Sequence, residues 1–190
     1  NTNPKTVNLL DISEEWYTGL ENAKSFVDKG KRKIETKPLE KLIEKFLKDA
    51  SNESADMINI IDIGCGDAEK SIFVYNHINK KYQSSDIALH LLDYSDDMLN
   101  MARLNLYLNE IKPTTVKKFD IRTETFNPNL NTIDRNYDIG ANLVLFLGET
   151  IGNFSNTSSI LSNLLNCASS EFDYHKLKDK VLLDFDIKKK

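Results

Sequence analysis

The apolar positions of this chain change period near residue 57. Upstream of it, Leu39, Leu42, Ile43, Phe46 and Leu47 recur at the spacing of one helix face, just after a Pro38 that suits a first helical turn. They predict a helix ending near Ala50. A second helix is predicted from Ser13 to Asp28, with Ser13 as its cap and Glu14 and Glu15 at its positive end. Residues 1–12 are polar, and Gly30 with the basic run after it interrupts the pattern. Residues 1–56 therefore read as a helical extension.

Downstream, short apolar runs alternate with amphipathic stretches. Strands are predicted at Met57–Ile63, Ile87–Leu92, Thr114–Phe119, Tyr137–Leu147 and Lys180–Ile187. Helices are predicted between them at Ala68–Tyr82, Ser95–Asn109 and Thr157–Ala168. Strands alternating with helices of this length make a parallel sheet with right-handed crossovers. The expected architecture over residues 57–190 is α/β, a Rossmann-like doubly wound parallel sheet that stops after its fifth strand.

In such a sheet a ligand sits outside the carboxyl ends of the strands, at the switch point beside the first. The first strand ends in Asp62-Ile63-Gly64-Cys65-Gly66-Asp67. Gly64 and Gly66 let the backbone turn tightly and approach a ligand, and a helix N-terminus follows whose N–H groups can meet a carboxylate or phosphate. Asp62 can hold the ammonium of an amino-acid ligand, directly or through water. Glu69 stands where a dinucleotide fingerprint has its third glycine, so a pyrophosphate would face a carboxylate. Asp93, followed by Tyr94, ends the second strand and can accept both hydroxyls of a ribose; alternatively Asp93 or Ser95 caps the next helix. Asp120 at the end of the third strand can accept from an adenine amino group, with Ile121 packing on the ring, or can be a plain turn aspartate. The fourth strand runs into Leu147-Gly148-Glu149-Thr150-Ile151-Gly152-Asn153-Phe154, which reads as a wall between cofactor and acceptor.

Composition narrows the partners. Of 190 residues, 40% are hydrophobic and 28% charged, as in an ordinary globular protein, and the formal charge of −4 offers no general footprint for nucleic acid. The basic runs Lys29–Lys33 and Lys188–Lys190 read as solvated segments. Cys65 and Cys167 are far apart, and His77, His90 and His175 are scattered, so no metal site is expected and a reducing cytoplasm is. No run approaches the roughly 18 apolar residues of a membrane span. A small-molecule or peptide acceptor is expected, without nucleic acid or membrane. The chain begins at Asn1 and its last strand-like run stops near its end, as expected of a fragment.

The run Ile60-Ile61-Asp62-Ile63-Gly64-Cys65-Gly66-Asp67-Ala68-Glu69-Lys70-Ser71 resembles motif I of class I S-adenosylmethionine-dependent methyltransferases. Paired with the segment from Leu147 to Phe154, it is similar to the histidine-specific methyltransferase family, whose best-known member trimethylates the α-amino group of histidine in ergothioneine biosynthesis. Gly64, Gly66, Glu69 and Lys70 match the family's first motif; Leu147, Gly148, Ile151, Gly152, Asn153 and Phe154 match its second.

The resemblance implies S-adenosyl-L-methionine as cofactor. It implies cofactor contacts at Gly64, Lys70, Asp93 and Asp120, to which the strand-end reading adds Asp62, Gly66, Tyr94, Ile121 and Gly148. It also implies an acceptor contact at Asn153. Glu149 stands where the family usually has Ser, and is a candidate proton acceptor. The family's Tyr-Pro-Thr-Arg segment has only an echo in Glu35-Thr36-Lys37-Pro38, and much of its acceptor domain follows strand 5. The expected activity is methyl transfer to a nitrogen of a histidine-like amino acid or peptide. The alternatives are an S-adenosylmethionine-binding module that needs a partner, and a nicotinamide-dependent oxidoreductase.

Overall fold

The structure, a computed structural model, describes residues 36–52, 55, 57–83, 86–128, 140–147, 156–168 and 180–183. Helix α1 spans Thr36–Asn52, β1 Met57–Ile63, α2 Glu69–Ile78, β2 Ile87–Asp93, α3 Asp96–Leu108 and β3 Thr115–Lys118. Then come β4 at Gly140–Phe146, α4 at Thr157–Ala168 and β5 at Lys180–Leu183. The five strands form one parallel sheet in the order β3-β2-β1-β4-β5. The winding direction reverses at β1, which is the doubly wound arrangement the alternation predicted.

Both faces of the sheet are covered, which explains why its central strands are apolar throughout: every residue of β1 is buried. One face carries Ile58 and Ile60 of β1, Leu89 and Leu91 of β2, and Leu143 and Leu145 of β4. They pack against Leu39, Ile43 and Phe46 of α1, Val74 and Ile78 of α2, and Leu99 and Ala102 of α3. The opposite face carries Ile61, Ile63, Leu92, Val144 and Phe146 against Ile160, Leu164 and Cys167 of α4. Leu42 was grouped with the buried stripe of α1 but is 46% exposed. It lies on the margin of the arc centred on Leu39, Ile43 and Phe46, where the sheet no longer covers it.

Helix boundaries follow local chemistry. Ser95 is the cap of α3, its Oγ accepting from Met98 N at 3.3 Å, with Asp96 and Asp97 in the first turn. Helix α2 stops at Ile78, short of the predicted Tyr82, and Asn79, Lys81 and Tyr82 continue as turns back onto Tyr75 and Ile78. Edge strand β3 is a residue shorter at each end than predicted and pairs only with His90–Asp93. The predicted helix Ser13–Asp28, the start of the fourth strand at Tyr137 and the end of the fifth beyond Leu183 lie outside the described residues.

Polar groups interrupt the second face. Asn59 Nδ2 donates to Asn142 Oδ1 at 2.8 Å across the β1–β4 register pair. His90 is fully buried, with Nδ1 3.1 Å from Thr115 Oγ1 and its ring edge-on to Phe126 at 5.2 Å. Burial pushes its pKa down to about 4, so the ring is neutral near pH 7.

Candidate functional site

The carboxyl ends of β1, β2 and β3 bring Asp62, Asp93 and Asp120 to one edge of the sheet. The turn after β1 is fastened to β2. Gly64 N and Cys65 N both donate to Leu92 O, at 2.7 and 3.2 Å, and Gly66 N donates to Asp93 Oδ2 at 2.9 Å. Gly64 and Gly66 have φ of +72° and +56°, where a side chain is strained, and a Cβ added at Gly66 would meet nothing within 4 Å. The glycine therefore leaves open space in front of the loop.

Ala68 adopts a left-handed φ of +64° at the entry of α2, its N–H on Cys65 O at 2.9 Å. That conformation costs a residue with a Cβ about 1 to 2 kcal/mol. It was not foreseen, because alanine carries no local signal for it. Asp67 Oδ1 accepts Glu69 N at 3.2 Å. So several of the N–H groups expected to be offered to an anion are spent on bracing the loop, and what the turn offers a ligand is chiefly room.

Asp62 is 2% exposed. Its Oδ2 accepts from Ser71 Oγ, and its Oδ1 has no hydrogen-bond partner. Burial lifts its pKa to about 7; the Ser71 hydroxyl and the charge of Lys70 pull it back, and Asp93 pushes it further up. A buried carboxylate oxygen without a donor is costly unless a cation or donor arrives, which makes Asp62 a receptor for positive charge. Ser71 was not singled out in the sequence. The available signal was a hydroxyl among the buried positions of α2, beside Ile72, Val74 and Tyr75.

Asp93 is braced by backbone. Oδ1 accepts Ser95 N at 2.9 Å and Oδ2 accepts Gly66 N at 2.9 Å. Its pKa is raised by burial, with the N–H groups of Ser95, Gly66 and Tyr94 working against that rise. The acceptor sites these N–H groups leave are available to ribose hydroxyls. Of the two sequence alternatives the structure shows the cap, at Ser95, while Asp93 ties the glycine loop to β2. Tyr94 is 40% exposed beside it.

Asp120 is held by Arg122, which was not foreseen. Arg122 Nη2 lies 2.6 Å from Oδ2, and Nε lies 2.8 and 3.0 Å from the two oxygens. That contact holds the Asp120 carboxyl below its ordinary range. Ile121 is 5% exposed and packed in the second core with Phe119 and Phe126, so a ring could meet only its rim. Lys70 lies in the first turn of α2. Gly148, Glu149 and Asn153 lie outside the described residues.

Among the described residues no group of three or more His, Cys, Asp or Glu could hold a metal ion, and no helix is long and apolar enough to cross a membrane. A surface groove of about 810 Å³ lined by Glu44, Lys48, Lys81 and Tyr82 lies at the α1–α2 crossing, away from the strand ends.

The architecture recurs in solved methyltransferases. A Methanococcus maripaludis protein described as a candidate S-adenosyl-L-methionine-dependent methyltransferase superposes with a TM-score of 0.52 at 16% identity, over 86% of this chain and 62% of its own. Magnesium protoporphyrin IX methyltransferase from Synechocystis PCC 6803, solved with bound S-adenosylmethionine, gives 0.50 at 14% identity, over 86% and 73%. A plantazolicin methyltransferase in complex with S-adenosylhomocysteine gives 0.50 at 16%, over 83% and 52%. The chain thus spans 62% and 52% of the length of the first and third. No curated protein matches it. The sequence matches the family described as "Histidine-specific methyltransferase, SAM-dependent" over residues 32–190. The chain belongs to that family of S-adenosylmethionine-dependent methyltransferases.

Proposed function

We propose that this chain binds S-adenosyl-L-methionine across the carboxyl ends of β1, β2 and β3 and serves methyl transfer to a nitrogen of a histidine-like amino acid or peptide. The observation that carries the reading is the bond from Gly66 N to Asp93 Oδ2, which joins the glycine turn and the ribose carboxylate into one preformed edge. The residues fit the cofactor. Asp62 Oδ1, buried and without a partner, suits its ammonium; Lys70 suits its carboxylate; Asp93 suits the ribose; Asp120 suits the adenine amino group.

When bound, the cofactor supplies an electrophilic sulfonium methyl group. The residues of this chain contribute position. Asp62, fixed by Ser71, and Asp93, fixed by two backbone N–H groups, pin the two ends of the methionine–ribose portion. Orientation of this kind can contribute roughly 7 to 11 kcal/mol to a bimolecular step. A neutral acceptor nitrogen is required for attack, and Glu149 is our candidate to take up its proton, with Asn153 contacting the acceptor.

The test is incubation of the chain with S-adenosylmethionine and free histidine, reading methylated product and S-adenosylhomocysteine by mass spectrometry. Methylated histidine supports the full reading. Cofactor binding without product from histidine or a histidine-containing peptide would instead support a binding module that needs a partner.

A further inference from the structure

We propose that Arg122 is a latch on the adenine end of this site, holding the Asp120 carboxylate until the amino group of the incoming base displaces it. The inference rests on the cofactor reading above and adds a specificity-setting residue to it.

The Asp120 carboxylate is committed chiefly to Arg122. Arg122 Nε contacts Oδ1 at 2.8 Å and Oδ2 at 3.0 Å, Nη2 contacts Oδ2 at 2.6 Å, and the backbone N–H of Arg122 contacts Oδ1 at 2.9 Å. Three N–H donors, two of them from the guanidinium and one of these shared between both oxygens, meet about four lone-pair sites. An adenine amino group approaching that carboxylate competes with the guanidinium for its acceptor sites.

The backbone of the loop is held independently of the guanidinium. Asp120 O accepts Thr123 N at 3.1 Å and Glu124 N at 2.8 Å, and Asp120 N donates to Glu124 Oε1 at 3.0 Å. Glu124 is itself paired with Lys117 at 3.2 Å. Ile121 is buried, and its carbonyl accepts Asn163 Nδ2 of α4 at 2.7 Å. None of these contacts involves the guanidinium.

The guanidinium also has somewhere to go. Its Cζ already lies 5.3 Å from the centre of the Tyr94 ring, within cation–π range, and the Arg122 side chain is 34% exposed. The Tyr94 ring therefore remains a partner for the guanidinium when the carboxylate contact is released. Lys118, the other cation near Tyr94 at 5.5 Å, is paired with Asp96 at 2.9 Å.

The latch has a consequence for base recognition. With Arg122 displaced, Asp120 rewards a 6-amino purine and repels a 6-keto oxygen. With Arg122 in place, the guanidinium can donate to that oxygen. The resident arginine therefore weakens adenine binding and blunts discrimination against the deaminated base.

The experiment is calorimetric titration of wild type, Arg122→Ala and Arg122→Lys with S-adenosylhomocysteine and with its deaminated analogue S-inosylhomocysteine, at low and high salt. Arg122→Ala is expected to bind S-adenosylhomocysteine about three- to fivefold more tightly, the scale of an exposed ion pair, and to discriminate more steeply against the inosine analogue. Arg122→Lys keeps the charge but not the fork and should fall between. Wild-type affinity should rise with salt as the pair is screened, while that of Arg122→Ala stays flat. Equal or weaker binding by both variants, or a salt response that survives Arg122→Ala, overturns the latch while leaving the cofactor site standing. No binding of S-adenosylhomocysteine by the wild type overturns both.

Discussion

Two of the carboxylates at the strand ends are held in opposite ways. Asp93, at the end of central strand β2, is fixed by the backbone N–H groups of Gly66 and Ser95 and partly buried, and burial lifts its pKa. Asp120, just past edge strand β3, is fixed by an exposed side chain, and its pKa is lowered. Backbone donors belong to the fold and cannot leave; a guanidinium can. On the proposed reading, the ribose end of the site is therefore preorganised, whereas at the adenine end the base competes with a resident side chain. Position in the sheet sets this difference. Beside β2 there is a second strand whose turn can donate N–H groups; β3 has no further strand beside it among the described residues.

If that contrast is right, Asp93→Ala has the largest effect. It removes two charge-assisted hydrogen bonds to ribose, about 1.5 to 3 kcal/mol each, so affinity for S-adenosylhomocysteine should fall about 100-fold or more. It also leaves Gly66 N and Ser95 N without their acceptor, which should lower the melting temperature; unchanged affinity in calorimetry would refute the ribose assignment. Gly66→Val comes next. The strain at φ +56° costs about 1 to 2 kcal/mol of stability, and the added side chain meets no protein atom near its Cβ. Its affinity loss, about tenfold or more, should exceed what strain alone explains. A variant that loses stability but binds normally would show that the space is not used.

Asp62→Asn separates charge from packing through pH. With a pKa near 7, the free protein carries this group increasingly ionised as pH rises through 7, so affinity for the ammonium-bearing ligand should rise over that range and flatten in the Asn variant. Stability should show the reverse sign. Because the folded pKa is raised above its ordinary 3.8, the contribution of Asp62 is full below that value and is lost as pH rises to about 7. His90 works oppositely. Its pKa is depressed from 6.5 to about 4, so its contribution is present above 6.5 and lost as pH falls toward 4. The two slopes offset each other in the wild type. Chemical denaturation of Asp62→Asn should therefore reveal stability that climbs between pH 4 and 6.5, and a flat profile would contradict the burial argument. The smallest effect is expected at Asp120→Asn, a severalfold change in affinity, since the carboxylate there is already committed to an exposed pair. A loss as large as that of Asp93→Ala would erase the contrast between the two ends.

Much of this was legible in the sequence because the relevant signals are local. The run Met57–Ile63 followed by Gly64 and Gly66 announces a buried strand and a tight turn, and Ser95 before Asp96 and Asp97 announces a helix start. What escaped depends on residues brought together by folding. Ser71 reaches Asp62 only because α2 packs back over β1. Ala68 takes a left-handed conformation that its own chemistry does not favour. The Asn59–Asn142 pair spans strands 83 residues apart. Arg122 was within sequence reach of Asp120, two positions away, but no spacing rule tells whether a turn aspartate faces a ligand or its own neighbour.

The most direct test of the cofactor site is calorimetric titration of this chain with S-adenosylhomocysteine and, separately, with NAD. Saturable one-to-one binding of S-adenosylhomocysteine, with none for NAD, is the predicted result. Binding of NAD, or no saturation with S-adenosylhomocysteine, would contradict the assignment of the β1–β3 edge as an S-adenosylmethionine site.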